Sequence, residues 1–286
     1  MTGAIKRLSE VFKLRIGAAI TLCAVAGMAV TSGSPLTAGQ FTVLVLAVFL
    51  SAASAGAFNQ YAERDLDARM SRTLNRPFAT GAYRTGWAWL IGIVAPLVLS
   101  VGIAFWVLNA YVALYVFLGA MFYGVVYTLW LKQRSIWNIV IGGLAGSFAV
   151  LAGSAAVTPK LAPEAIILAV VLFLWTPPHF WSLAIVLRKD YADAGVPMLP
   201  VVIGNAATSW VILGHTVALV AISLLPLAYG MGPIYLAGAV SGGSYFIFHS
   251  IKLVREPGPE AAKSNFLASF VQLGSLLLAA IFDSLT

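Results

Sequence analysis

The sequence predicts an all-α, polytopic membrane protein, and three observations carry that prediction. Of the 286 residues, 60% are hydrophobic and only 9% charged, with a mean hydropathy of +0.93. Ten acids and seventeen bases cannot cover the surface of a soluble domain of this length. The apolar residues also fall in runs of about twenty, the length that crosses roughly 30 Å of hydrocarbon as a helix. Finally, the bases are distributed as a membrane topology requires, on alternate loops.

Nine candidate spans follow from these runs, near residues 16–33, 41–60, 86–107, 110–130, 136–157, 164–187, 208–229, 231–253 and 265–284. Lys6, Arg7, Lys13 and Arg15 precede the first span. No A-x-A-like cleavage site follows it clearly, so the span is read as retained. Cys23, the single cysteine, lies within that span and is read as a small buried apolar residue; a disulfide framework is excluded. The loop after the second span carries Arg64, Arg69, Arg72, Arg76 and Arg84. Later loops on the same side carry Lys132 and Arg134, then Arg188 and Lys189, then Lys252, Arg255 and Lys263. Sixteen of the seventeen bases thus fall on one side and only Lys160 on the other. The N-terminus is therefore expected in the cytoplasm and the C-terminus outside. The net charge of +7 is accounted for by topology, so nucleic acid is not expected as a partner; the lipid bilayer is. One integral-membrane domain over residues 1–286 is expected.

The acids point to chemistry. Asn59, Glu63 and Asp67 are four residues apart at the end of the second span, and on a continuing helix they share one face. Carboxylates at a membrane-helix mouth are costly and by default mark function. Two carboxylates and an amide oxygen are hard ligands suited to Mg²⁺ carrying a phosphorylated substrate. Asp65 lies on the opposite side of the helix as a partner for the basic loop. Pro77 disfavours helix just before it, which puts Arg72 and Arg76 on a loop folded over the mouth, where they could hold phosphate oxygens. The bland reading of the same residues is a positive-inside loop whose acids merely pair with its bases.

A second cluster, Arg188-Lys189-Asp190-Tyr191 with Asp193, follows the sixth span, four spans after the first. That offset suggests two four-helix halves plus a ninth helix, with the acidic ends facing across one cavity. Upstream, Trp175-Thr-Pro177-Pro178-His179-Phe180-Trp181 puts paired prolines within a span, where missing backbone donors bend the helix or expose carbonyls. His179 is read as a base, a ligand or a hydrogen-bonded core residue; His215 and His249 are read as structural. Asn138, near the start of the fifth span, is a candidate cavity residue. Gly142, Gly143 and Gly146 are read as close-packing positions.

These segments resemble the UbiA superfamily of intramembrane prenyltransferases, and within it the branch that prenylates haem. The resemblance covers nearly the whole chain. It rests on N-x-x-x-E-R-D-L-D-x-x-M-x-R-T-x-x-R-P from Asn59 to Pro77, N-I-V-I-G-G from Asn138 to Gly143, W-T-P-P-H-F-W from Trp175 to Trp181, and D-Y-x-x-A-G-V-P-M-L-P from Asp190 to Pro200. It implies nine transmembrane helices around a central cavity open towards the cytoplasmic side, in the inner membrane of a prokaryote. It also implies Mg²⁺-dependent transfer of farnesyl from farnesyl diphosphate to a vinyl group of protohaem IX, giving haem o. By that resemblance Asn59, Glu63 and Asp67 hold the metal, and Arg72 and Arg76 form the following basic loop. Asp190 belongs to the second acidic motif. The remaining cations, Lys132, Arg134, Arg188 and Lys189, are assigned with them to the diphosphate. His179, Trp175, Tyr191 and Asn138 are assigned to the acceptor or to sheltering a cation. A haem a synthase or oxidase assembly proteins are the partners such an activity suggests.

Two departures stand out. Leu187 and Tyr191 occupy the positions where many members carry the two aspartates of the second motif, so charge rather than metal is expected there. The stretch after Gly146 lacks the prolines and tryptophan common in the haem branch. Outside the prenyltransferase class, intramembrane acids and a broken helix also suit a secondary transporter, although here the acids cluster at one face instead of the midplane. They suit a haem-binding assembly factor of a respiratory oxidase as well. Within the class, a prenyltransferase acting on an aromatic acid or quinone precursor would carry the same first motif.

Overall fold

The computed structural model describes residues 3–286. All regular elements among them are helical: α1 (Gly3–Val11), α2 (Leu14–Ala29), α3 (Ala38–Ala62), α4 (Arg64–Asp67), α5 (Trp87–Val107), α6 (Ala110–Met121), α7 (Asn138–Gly142), α8 (Leu144–Val157), α9 (Pro163–Val186), α10 (Arg188–Asp193), α11 (Leu199–Ile222), α12 (Pro233–Arg255) and α13 (Pro259–Asp283). By length and apolarity seven helical rods can cross a membrane, or eight if the bent α1–α2 pair is one span, against the nine expected. The shortfall includes α12, which is 23 residues long but rich in Ser, Gly and basic residues. The protein is a multi-pass integral membrane protein.

Local chemistry sets the boundaries. Thr37 and Gln40 form a reciprocal capping box that starts α3. Asn109 accepts from the amides of Tyr111 and Val112 and separates α5 from α6. Pro163 opens α9 at a position where no amide donor is needed. At the same end of the bundle, Asp283 accepts from the amides of Gly232, Ile234 and Tyr235, so the end of α13 caps the start of α12. Trp87 and Trp106, both largely exposed, mark the two ends of α5. Nineteen residues of helix separate them by about 28 Å, close to the hydrocarbon thickness.

Helices α2, α3, α5 and α6 pack in sequence, as do α8, α9, α11 and α12; α8 bridges back to α2 and α6, and α13 contacts α12, α9 and α2. The α2–α8 crossing depends on glycine. A Cβ on Gly27 would overlap the Val150 carbonyl, and one on Gly153 would overlap the Ala24 carbonyl. Close backbone approach of this kind is how membrane helices gain packing energy where lipid supplies no hydrophobic drive.

Candidate active site

The helix carrying the first acidic cluster does not run straight through it. Glu63 leaves helical geometry (φ −94°, ψ 11°), ending α3 and starting the one-turn α4. The hydrogen-bond ladder nevertheless persists, with the Glu63 amide on the Asn59 carbonyl at 2.9 Å and the Asp67 amide on the Glu63 carbonyl at 2.7 Å. The shared face therefore survives the bend. Asn59, Glu63 and Asp67 are all buried, whereas the Asp65 side chain is 81% exposed and reaches only Arg64.

Each of the three meets a cation. Lys13 Nζ donates to Asn59 Oδ1 at 2.5 Å and to the Tyr123 hydroxyl at 3.0 Å. Lys132 forms an ion pair with Glu63. Arg76 Nη1 donates to both oxygens of Asp67 at 2.8 Å. The loop that follows α4 thus folds over the mouth as expected, held also by Thr73 donating to the Asp67 carbonyl. Ser71 on the same loop bonds Asp190, tying the first acidic segment to the second.

Asn59 and the three cations line a cavity of about 460 Å³. Its polar wall includes Lys13, Asn59, Arg72, Arg76 and Lys132, and its apolar wall includes Ile16, Ile139, Gly142 and Phe180. Tyr123, Tyr127 and Tyr191 lie between. From the second cluster only Tyr191 reaches the cavity. It is buried near Arg72; burial raises its phenol above the usual range, with the Arg72 charge opposing, so the hydroxyl stays protonated. Asp190 is spent on Ser71, and Arg188 and Lys189 are exposed outside the cavity wall. Arg134 is exposed as well. Asn138 is fully buried, but its amide closes the preceding loop, donating to the carbonyls of Lys132 and Ser135. Trp175 donates its indole N–H to the Ser269 carbonyl, and His179 Nδ1 meets Ser269 Oγ at 2.7 Å.

Four site residues escaped sequence reading: Lys13, Tyr123, Tyr127 and Thr128. Lys13 counted only as a topology charge. It is the one non-glycine among the described residues with positive φ (48°), at the break between α1 and α2, and Gly56 makes room for its side chain. The other three sit on a ten-residue π-helix, Phe122–Leu131, that continues α6. Its wider turn puts Tyr123, Tyr127 and Lys132 on the cavity wall together, and Thr128 accepts from the Asn59 amide at 3.0 Å. Polar residues at 123, 127, 128 and 132, spaced by four and five in an apolar run, were the available signal. Gly142 completes the wall, since a Cβ there would press on the Tyr127 ring at 2.9 Å.

A hard divalent cation fits this donor set. Glu63 Oε1 is buried with no hydrogen-bond partner among the described residues, beside the Asn59 amide oxygen and the Asp67 carboxylate. No group of three or more His, Cys, Asp or Glu able to hold a metal occurs among the described residues. A cation here would therefore depend on two carboxylates, an amide and oxygens brought by its ligand.

Helical rods around a cation-lined cavity with hard oxygen donors at its mouth define the class. Residues 20–274 match the UbiA prenyltransferase family, and the chain belongs to it. It is 55% identical to protoheme IX farnesyltransferase 2 of Paramagnetospirillum magneticum, over 100% of this chain and 99% of that one. With protoheme IX farnesyltransferase of Alkalilimnicola ehrlichii it shares 40% identity over 95% and 90% of the two chains. The fold matches that of a UbiA homolog from Archaeoglobus fulgidus bound to DMAPP and Mg²⁺, with a TM-score of 0.71, 15% identity and 96% and 99% of the chains covered.

Proposed function

We propose that this protein transfers a farnesyl group from farnesyl diphosphate to a vinyl group of protohaem IX, making haem o at the cytoplasmic face of a prokaryotic inner membrane. The observation that carries the reading is the ring of Lys13, Arg72, Arg76 and Lys132 around Asn59, Glu63 and Asp67 at one end of an apolar-walled cavity. The names of its relatives support farnesyl and protohaem as the substrates.

Asn59, Glu63 and Asp67 would hold Mg²⁺, which when bound supplies positive charge to the leaving diphosphate. The chain's own residues do the rest. Lys13, Lys132, Arg76 and Arg72 share the cavity wall and would bind the diphosphate oxygens. Preorganised positive charge would then meet the developing anion. As the C1–O bond breaks, the allylic cation faces Tyr123 and Tyr127, whose rings stack at 5.7 Å and which have no basic nitrogen to capture it. The acceptor's vinyl π bond attacks C1, and water adds to the resulting benzylic-type cation as one proton leaves. The balance is protohaem plus farnesyl diphosphate plus water giving haem o plus diphosphate.

The test is purified protein with Mg²⁺, farnesyl diphosphate and a panel of acceptors, read by mass spectrometry. Reduced protohaem should gain one farnesyl and one hydroxyl group. A product on an aromatic acid or quinone precursor and none on protohaem would replace the acceptor assignment. Movement of haem across vesicles with no covalent product would favour transport.

A further inference from the structure

Helix α1 is seated in the bundle at one end and bare at the other. Ile5, Leu8 and Val11 recur every third residue along one side, while Lys6, Arg7, Ser9 and Glu10 hold the other. At the end next to α2 the apolar side is in place. Val11 is fully buried with Ala57, Phe78 and Ile93, and Gln60 Nε2 donates to the Glu10 carbonyl at 2.7 Å. About one and two turns earlier the same side is uncovered, with Leu8 42% and Ile5 53% exposed. Lys6 and Arg7 are exposed as well, and among the described residues neither forms an ion pair.

The break at Lys13 decides where the uncovered side lies. A left-handed lysine is strained, and such strain persists only where surrounding contacts enforce it. Here it turns α1 by 51° from α2. With α2 and α5 along the membrane normal, the stretch from Val11 back to Ile5, about 9 Å of helix, climbs only about 6 Å. Val11 packs beside Ile93, and Trp87 stands about 9 Å further along α5 from that level. Ile5 therefore remains below Trp87, whose exposed ring marks the interface. Beyond the break the apolar surface continues in Leu14 and Ile16, both exposed on α2.

We propose that α1 docks on an anionic phospholipid surface, with Ile5 and Leu8 in the acyl boundary and Lys6 and Arg7 against headgroup phosphates. Lipid is the occupant because the uncovered side lies at interfacial depth and is continuous with exposed apolar residues of α2. The unpaired bases select anionic headgroups. The docked helix ends two residues before Lys13, so the strained break is held by a lipid-bound helix on one side and by Asn59 on the other. Nothing in this assignment depends on the acceptor.

The experiment uses the full chain in nanodiscs, with a nitroxide on Ile5→Cys, Lys6→Cys or Leu8→Cys. Wild type, whose Cys23 is buried, is the labelling control. Electron paramagnetic resonance reads each label's accessibility to oxygen, which concentrates in lipid, and to a water-soluble nickel complex. In discs of phosphatidylglycerol mixed with phosphatidylcholine, labels at positions 5 and 8 should be immersed in lipid and the label at position 6 should stay in water. Lys6→Gln/Arg7→Gln carrying the label at position 8 should lower the ratio of immersed to free helix by about 25-fold, roughly fivefold for each base. Discs of phosphatidylcholine alone should weaken immersion in the same direction with both bases present, which decides the matter if that variant does not fold. Equal exposure of all three labels to water overturns the docking. Immersion indifferent to both the bases and the lipid charge overturns the anionic assignment. Broadening between labels in place of immersion would put a second copy of the chain on this face, and overturns it too.

Discussion

Breaking the Asp67–Arg76 pair should cost stability unequally, depending on which partner is removed. At 2.8 Å and an effective dielectric near 20, the gross attraction is about 6 kcal/mol. Much of that is offset by desolvation, and removing one partner of a buried pair typically costs about 3–5 kcal/mol, because the other is left uncompensated. The two orphans differ. Arg76 keeps 22% side-chain exposure and a flexible stem, so in Asp67→Ala it can turn towards the cavity water. Asp67, at 2%, cannot, and Arg76→Met strands its carboxylate. Asp67→Ala is expected near the low end of that range, at about 3 kcal/mol, and Arg76→Met near the high end, at about 5 kcal/mol. The double variant should recover part of either loss, since neither charge is then left alone. At about 2 °C or more per kcal/mol for chains of this size, the first melts roughly 6 °C low and the second roughly 10 °C low. Thermal melts in one detergent, with tryptophan fluorescence as the readout, check the order. A double variant less stable than both singles, or an Arg76→Met that melts with wild type, refutes the pairing argument. Farnesyl transfer should vanish in Asp67→Ala at a temperature where the variant is folded; full activity there removes Asp67 from the metal site.

Lys13→Ala should raise the KM for farnesyl diphosphate by roughly 10- to 150-fold, the worth of one hydrogen bond to a charged group at about 1.5–3 kcal/mol. Steady-state kinetics with protohaem saturating check this, and an unchanged KM would leave Lys13 as a structural partner of Asn59. Gly153→Leu should abolish the α2–α8 crossing, with a loss above about 4 kcal/mol, as expected for overpacking against backbone that cannot yield. Size-exclusion profiles in detergent should show aggregate, and a monodisperse Gly153→Leu protein would contradict the close approach.

What was legible in sequence was whatever membrane physics forces to the surface of the text. Apolar runs, the one-sided bases and the i, i+4 acids each reflect a large energetic penalty, so each left a pattern. Asn59, Glu63 and Asp67 were found together because burying them at a helix mouth is costly; even the bend at Glu63 left their shared face intact. The second cluster misled for the complementary reason. Arg188, Lys189 and Asp190 carry as much charge per residue as the first, yet whether a charge faces a cavity or water depends on tertiary placement. Only Ser71 on the opposing loop decides where Asp190 turns.

The residues missed share another cause: they depend on backbone that leaves the α-helical register. Lys13 enters the site through a left-handed residue at the α1–α2 break, a conformation that costs a lysine roughly 1 kcal/mol or more and leaves no mark in composition. Tyr123 and Tyr127 enter through a π-helix, whose wider turn moves Lys132 onto the same wall as both rings. Helical-wheel reasoning at 3.6 residues per turn separates these side chains, because it assumes the register that the site abandons. Both departures lie beside Asn59, one on each side, with Lys13 on its oxygen and Thr128 on its nitrogen. A strained residue and an irregular helix thus converge on one buried amide, and would orient it as the neutral ligand of the metal site proposed above. Without those two contacts the Asn59 side chain could present its amide nitrogen to a cation as readily as its oxygen.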